Sequence, residues 1–175
     1  MSDEIVVRRI DGSAAAACVE ALADVLIDCV EGGASVSFMR PLPRDKAVAF
    51  WRDVADAVAR GERVLLIAED EAGELLGTVQ MIVSLPDNQP HRADVAKMLV
   101  RRSARRRGIA SRLMEALDDA ARAEGKSVLV LDTVTGGDAE RLYARAGWQR
   151  VGVVPKYALM PDGEFCATTF FYKHL

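Results

Sequence analysis

Five of the seven residues at 101–107 are arginine, and the run leads directly into Gly108-Ile109-Ala110, where an amphipathic helical pattern begins. A helix start leaves N–H groups without intrahelical partners and carries a partial positive charge, so a turn of small residues there can cradle phosphate. Neighbouring guanidinium groups add charge-assisted contacts suited to a multiply phosphorylated ligand. Two familiar phosphate loops do not fit. A Walker loop requires lysine and then serine or threonine after its last glycine, whereas Ile109-Ala110 follows Gly108. A dinucleotide turn requires three spaced glycines near the first strand of its unit, and this mid-chain turn has one. The bland alternative is a solvated basic turn.

The elements that must hold this turn follow from periodicity and punctuation. Residues 4–10 predict a strand, closed by an Asp11-Gly12 turn. Ser13 is placed to cap one helix running to about Val30, with Val19, Leu22, Leu26 and Val30 on its apolar face. Residues 32–39 then form either a substrate loop or a packed connector. A second helix spans 43–60, and a hairpin spans 63–69 and 75–85 around the turn at 70–73. Residues 93–100 predict a strand ending at the arginines, and 108–124 a helix with Ile109, Leu113, Met114, Leu117 and Ala121 inward. The apolar run at 127–132 suits a central strand covered on both sides. Asp132 therefore stands at a strand's carboxyl end, where open α/β sheets bind ligands. A short helix at 138–146, stopped by Gly147, precedes closing strands at 148–154 and 165–173. This order predicts a single mixed α/β domain over residues 1–175.

Composition narrows the function classes. The chain has 175 residues, half of them hydrophobic and 28% charged, with a formal net charge of -3. Those proportions suit an ordinary globular domain and disfavour a general nucleic-acid binder. The helix after the arginines carries Glu115, Asp118, Asp119 and Glu124, so the positive charge stays local. The acidic start is unlike a signal peptide, and no apolar run approaches the roughly 20 residues of a membrane span. Cys18, Cys29 and Cys166 match neither a disulfide framework nor a zinc pattern, which makes a reduced cytoplasmic setting the expectation. His91 and His174 are too isolated to suggest a metal site, and none is expected. No cysteine lies beside a histidine, so direct attack by an acceptor is simpler than covalent catalysis.

Residues 95–147 resemble the core of the Gcn5-related N-acetyltransferase (GNAT) superfamily. Arg105-Arg106-Arg107-Gly108-Ile109-Ala110 matches its Gln/Arg-x-x-Gly-x-Gly/Ala turn, which holds the pyrophosphate of coenzyme A. Residues 139–148, with Tyr143 before Gly147-Trp148, match its late helix. Blocks at 32–39, 92–100, 131–133 and 161–163 extend the resemblance to the tabtoxin-resistance acetyltransferases, over nearly the whole chain. The resemblance implies the GNAT acyl-CoA N-acyltransferase fold, a mixed sheet of about seven strands flanked by about four helices. It also implies acetyl transfer from acetyl-CoA to the amino group of a small molecule such as tabtoxinine-β-lactam or a related amino acid or dipeptide.

Residue by residue, the resemblance assigns Arg105, Arg106, Arg107, Gly108, Ile109, Ala110 and Ser111 to the cofactor, with backbone groups of Met98, Leu99 and Val100 along its pantetheine arm. Asp94 and Asp132 become the two site carboxylates, either one a proton acceptor or an ammonium holder. The alternatives are an Asp94 paired with Arg92 or Lys97, and an Asp132 that caps the next segment. Tyr143 becomes the acid near the coenzyme sulfur, or else a core aromatic. Gly33, Ala34, Ser35 and Tyr157 join the two aspartates as candidate substrate contacts. Other acceptors (a polyamine, an amino acid or a protein N-terminus) and a non-catalytic acyl-CoA-binding regulator remain the competing readings. A homodimer is common among such domains, although nothing in the spacing demands one.

Overall fold

The computed structural model describes residues 4–175. Strand β1 (Val6–Ile10) leads into helices α1 (Gly12–Ala17), α2 (Val19–Glu31) and α3 (Arg44–Ala59). Three strands follow, β2 (Arg63–Glu69), β3 (Leu75–Ile82) and β4 (Arg92–Val100). A 3-10 turn at Arg102–Ala104 precedes α4 (Ile109–Ala123), then β5 (Val128–Val134), α5 (Asp138–Arg145), β6 (Gln149–Leu159) and β7 (Phe165–His174). No helix among the described residues is long and apolar enough to cross a membrane.

The first helical segment departs from the expectation. It is two helices, broken at Cys18, whose N–H bonds the carbonyls of both Ala14 and Ala15. Asp11 rather than Ser13 is the cap, accepting from the Ala14 N–H at 2.8 Å. An added Cβ on Gly12 would lie 2.5 Å from Ala59 Cβ, so α1 presses its first turn against the end of α3. The closing hairpin is also longer than predicted, because β6 bulges twice against β7 and continues to Leu159.

All seven strands form one sheet in the order β1-β2-β3-β4-β5-β7-β6. Neighbours are antiparallel except β4 and β5, which run parallel. Their pairing covers only Arg92↔Val128, Ala93↔Leu129 and Asp94↔Val130. Both strands continue beyond that point without pairing, so the sheet opens in its middle. On the other side of β4, Thr78 opposes Leu99 while Gln80 opposes Ala96. Lys97 and Met98 therefore share one partner position, a β-bulge at which Lys97 takes a φ of 53°.

The two faces of the sheet are covered differently. Leu66, Val79, Met81, Val95, Leu129, Leu131 and Phe171 pack beneath α4 and α5 with Ile109, Leu113, Leu117, Tyr143 and Trp148. Leu65, Ile67 and Leu99 pack against α1–α3, whose core includes Leu22, Leu26, Val30 and the fully buried Trp51. Each such large apolar side chain contributes about 1.5–3 kcal/mol by leaving water. On this second face α2 and α3 lie over β2, β3 and β4. Further along this face, Asp132 is exposed and Phe170 and Tyr172 are half-buried.

Candidate functional site

The arginine run folds into the 3-10 turn and the start of α4, and its members divide by partner. Arg101 Nε donates to the Leu75 carbonyl at 2.8 Å. The Arg102 amide and Nε donate to the two oxygens of Asp28 at 2.8 and 2.9 Å. Burial pushes the Asp28 carboxyl up, yet the Arg102 amide and guanidinium outweigh it and hold the group below its ordinary value. These two arginines lock the turn onto β3 and α2. Arg105 Nε reaches the Val100 carbonyl at 3.4 Å, and Arg105, Arg106 and Arg107 are exposed.

Gly108 takes a φ of 75°, and nothing lies within 4 Å of where a Cβ would stand. Only glycine adopts that conformation without strain, and the space above the turn is open to a ligand. The first hydrogen bond at the start of α4 runs from the Arg112 N–H to the Gly108 carbonyl at 3.1 Å. The amides of Ile109, Ala110 and Ser111 precede that bond, as an anion-binding helix start requires. An open αL glycine, a free first helical turn and exposed guanidinium groups fit a pyrophosphate-bearing ligand such as acetyl-CoA.

Met98, Leu99 and Val100 lie on β4 beyond its last pairing with β5. Strand alternation turns every second set of their backbone polar groups toward that gap. The Leu99 side chain is core, and the Val100 carbonyl is already taken by Cys29 Sγ at 3.4 Å and by Arg105. Asp94 and Asp132 share the second face, because Asp94 opposes Val130 and Asp132 is two residues further along. Their surroundings differ. Asp94 is ion-paired with Arg92, which is also held by Gln89 Oε1. Asp132 accepts from the Thr168 hydroxyl at 2.7 Å through Oδ2.

Tyr143 lies on α5 behind the opening, 5% exposed, with its ring edge-on to Trp148 and tilted against Phe171. Burial, and secondarily the charge of Asp132, pushes its phenol well above the ordinary value. A phenol at about 10 is already a weaker acid than a thiol at about 8.5, so complete proton transfer to a thiolate is uphill by about 2 kcal/mol at reference values. Burial steepens that slope. The Tyr143 hydroxyl is therefore better suited to donating a hydrogen bond than to giving up its proton.

The predicted substrate contacts gather on the second face. Ser35 Oγ donates to the Leu159 carbonyl at 2.8 Å, tying the loop after α2 to the β6–β7 hairpin. Ala34 packs on the α1–α3 core, while Gly33 has a φ of 93° and open space around it. Tyr157 is exposed and stacks edge-on against Phe170 at 5.7 Å, and Phe170 is the register partner of Asp132.

Sequence reasoning missed three residues here. Lys97 lies on the β4 bulge with its Nζ 3.1 Å from Ser37 Oγ and 5.6 Å from the Phe50 ring centre. Burial, then repulsion from Arg63, lowers the pKa of its ammonium, against an opposing pull from Asp132. Arg63 donates from Nη1 to Gln80 Oε1 at 2.5 Å, and burial lowers its pKa also. No local sequence signal marks them, because they meet only through strand register, with Gln80 opposing Leu65 on one side and Ala96, the neighbour of Lys97, on the other.

A family model described as the Acetyltransferase (GNAT) family matches residues 21–148. An uncharacterized N-acetyltransferase from the hisH-hisA intergenic region of Azospirillum brasilense is 31% identical over 113 residues, covering 63% of this chain and 65% of that relative. The matched part thus spans just under two thirds of the relative's length. An N-acetyltransferase from Staphylococcus aureus Mu50 superposes with a TM-score of 0.79 at 20% identity, covering 98% of both chains. The yncA protein of Salmonella typhimurium, solved with acetyl-CoA, superposes with a TM-score of 0.79 at 20% identity, covering 98% of this chain and 94% of its own. At such identities the likeness to solved structures is one of fold. With the family model covering most of the sequence, the chain belongs to the GNAT acetyltransferase family.

Proposed function

We propose that this protein is an acetyl-CoA-dependent N-acetyltransferase acting on a small amino compound, with tabtoxinine-β-lactam or a related amino acid or dipeptide as the acceptor to test first. The observation that carries the reading is the end of β4–β5 pairing at Asp94↔Val130, with the glycine turn following β4 and Asp132 on the β5 side of the opening. When bound there, acetyl-CoA supplies a thioester that an amine can attack directly. Gly108 and the first amides of α4 hold the pyrophosphate, with Arg105, Arg106 and Arg107 around it. Gap-facing backbone N–H groups within 98–100 donate to the thioester oxygen as negative charge develops.

Asp132 is the better proton acceptor of the two carboxylates. Asp94 is engaged by Arg92, whereas Asp132 is exposed and has only a neutral hydroxyl as its hydrogen-bond partner among the described residues. It takes the amine proton directly or through water. Tyr143 donates a hydrogen bond to the departing sulfur while keeping its proton.

Mass spectrometry of tabtoxinine-β-lactam after incubation with protein and acetyl-CoA tests the reading, with Tyr143→Phe alongside. An acetyl mass gain that slows about tenfold in the variant is the expected result. No gain, from protein that binds coenzyme A, removes the toxin as acceptor and directs the search to other amines.

A further inference from the structure

Two cations beside the opening make no ion pair among the described residues. Most arginines in this chain do have one. Arg8 pairs with Glu69, Arg44 with Glu20 and Asp24, Arg60 with Glu62, Arg92 with Asp94 and Arg102 with Asp28. Among the described residues Arg63 makes no ion pair. Its Nη1 is received by the amide oxygen of Gln80, which is 1% exposed and whose own Nε2 has no partner. Lys97 also makes no ion pair among the described residues, and its Nζ is met by the Ser37 hydroxyl and the Phe50 ring. Both cations are half-buried.

This arrangement is costly. Arg63 and Lys97 are near enough to repel one another, and burial disfavours the charge of each. The negative group that Lys97 feels is Asp132, across the opening from it. The backbone adds to the cost, since the bulge holds the non-glycine Lys97 at positive φ. An anion arriving between the two cations would relieve both the repulsion and the missing pairing. A ligand with an ammonium group a few bonds away would at the same time meet Asp132.

We propose that Arg63 and Lys97 form the subsite for the acceptor's carboxylate, with Gln80 as the positioning residue that holds the Arg63 guanidinium. The acceptor class is then an amino acid or short peptide with a free carboxylate, in preference to a polyamine or a simple amine. Two fixed cations opposite one carboxylate match the charge order of a zwitterion and repel a polycation. The proposal rests on the acetyl-transfer reading above, which concerns the amine, and adds the group recognised beside it.

The test compares a series of L-amino acids with their carboxamides, following thiol release from acetyl-CoA. The readout is the ratio of kcat/KM for acid over amide within one protein, so loss of folded enzyme cancels. Unaltered protein is expected to favour the acids, and Lys97→Met and Arg63→Met to lower the ratio about tenfold or more each, as for loss of a charge-assisted contact. Lys97→Arg should retain most of the preference. Equal use of acids and amides by the unaltered protein, or a preference that survives both methionine variants, overturns the subsite and leaves acetyl transfer standing. Thiol release from neither series, in protein that binds coenzyme A, overturns the subsite and small amino acids as acceptors together.

Discussion

The arginine turn and the β4 bulge both carry positive charge, and they handle it in opposite ways. The turn is dense in positive charge, yet Arg101 and Arg102 are committed to Leu75 and Asp28. The bulge region has only Lys97 and Arg63, both half-buried and without an ion pair among the described residues. Density of charge suits a phosphate-bearing ligand, whereas incomplete pairing under partial burial suits the single carboxylate proposed above. Exposed ion pairs contribute little, about 0–1 kcal/mol each, because water already screens them. A cation removed from water without a partner matters more per residue.

Asp132 lies near Lys97, and its substitution should have the largest effect. Asp132→Asn is expected to lower kcat about a hundredfold with coenzyme A affinity maintained, measured by steady-state kinetics and calorimetry. A fall in affinity alone would move Asp132 from proton transfer to ligand binding and sharpen the claim of the glycine turn. Next in size is the pH response of the bulge. Lys97 has a lowered pKa, so as pH rises it loses its charge earlier than an ordinary lysine near 10.4. KM for a carboxylate acceptor should therefore rise on the alkaline side, at a pH below that of a solvated lysine. In Lys97→Arg the rise should move out of the measurable range, because arginine stays protonated. An identical alkaline limb in the two proteins would assign it to another group.

The smallest effects separate the arginines of the turn from one another. Arg106→Ala should weaken coenzyme A binding several-fold with an unchanged melting temperature, since Arg106 is exposed and has no hydrogen bond to the rest of the chain among the described residues. Arg102→Ala should lower the melting temperature by a few degrees at most and leave affinity nearly intact, because its partner is Asp28. Equal losses of affinity in both variants would collapse the division of labour within the turn.

Much of this architecture was legible before any coordinates. Helix α4, strand β2 and the glycine turn lie where periodicity and punctuation put them, because their signals are local: an apolar stripe, a short apolar run and a glycine at a helix start. The first helix was misjudged because the residues of its apolar stripe, Val19, Leu22, Leu26 and Val30, all lie beyond the break at Cys18 and say nothing about residues 12–17. Asp94 was read as a site carboxylate with pairing to Arg92 as the alternative, and that pairing is present. Whether Tyr143 and Asp132 were neighbours in charge could not be read from a separation of eleven positions.

The amino-acid sequence by itself determined which groups were available and how each short segment would fold. It placed a glycine turn at the start of a helix and a carboxylate near the end of a strand, although β5 runs on past Asp132 to Val134. Only the tertiary structure decided where β4 and β5 part, which arginines are occupied and that Arg63 faces Lys97. Register, burial and ion pairing are set by segments far apart in the chain. The desolvation that makes two ordinary cations conspicuous exists only once helices and sheet have closed around them.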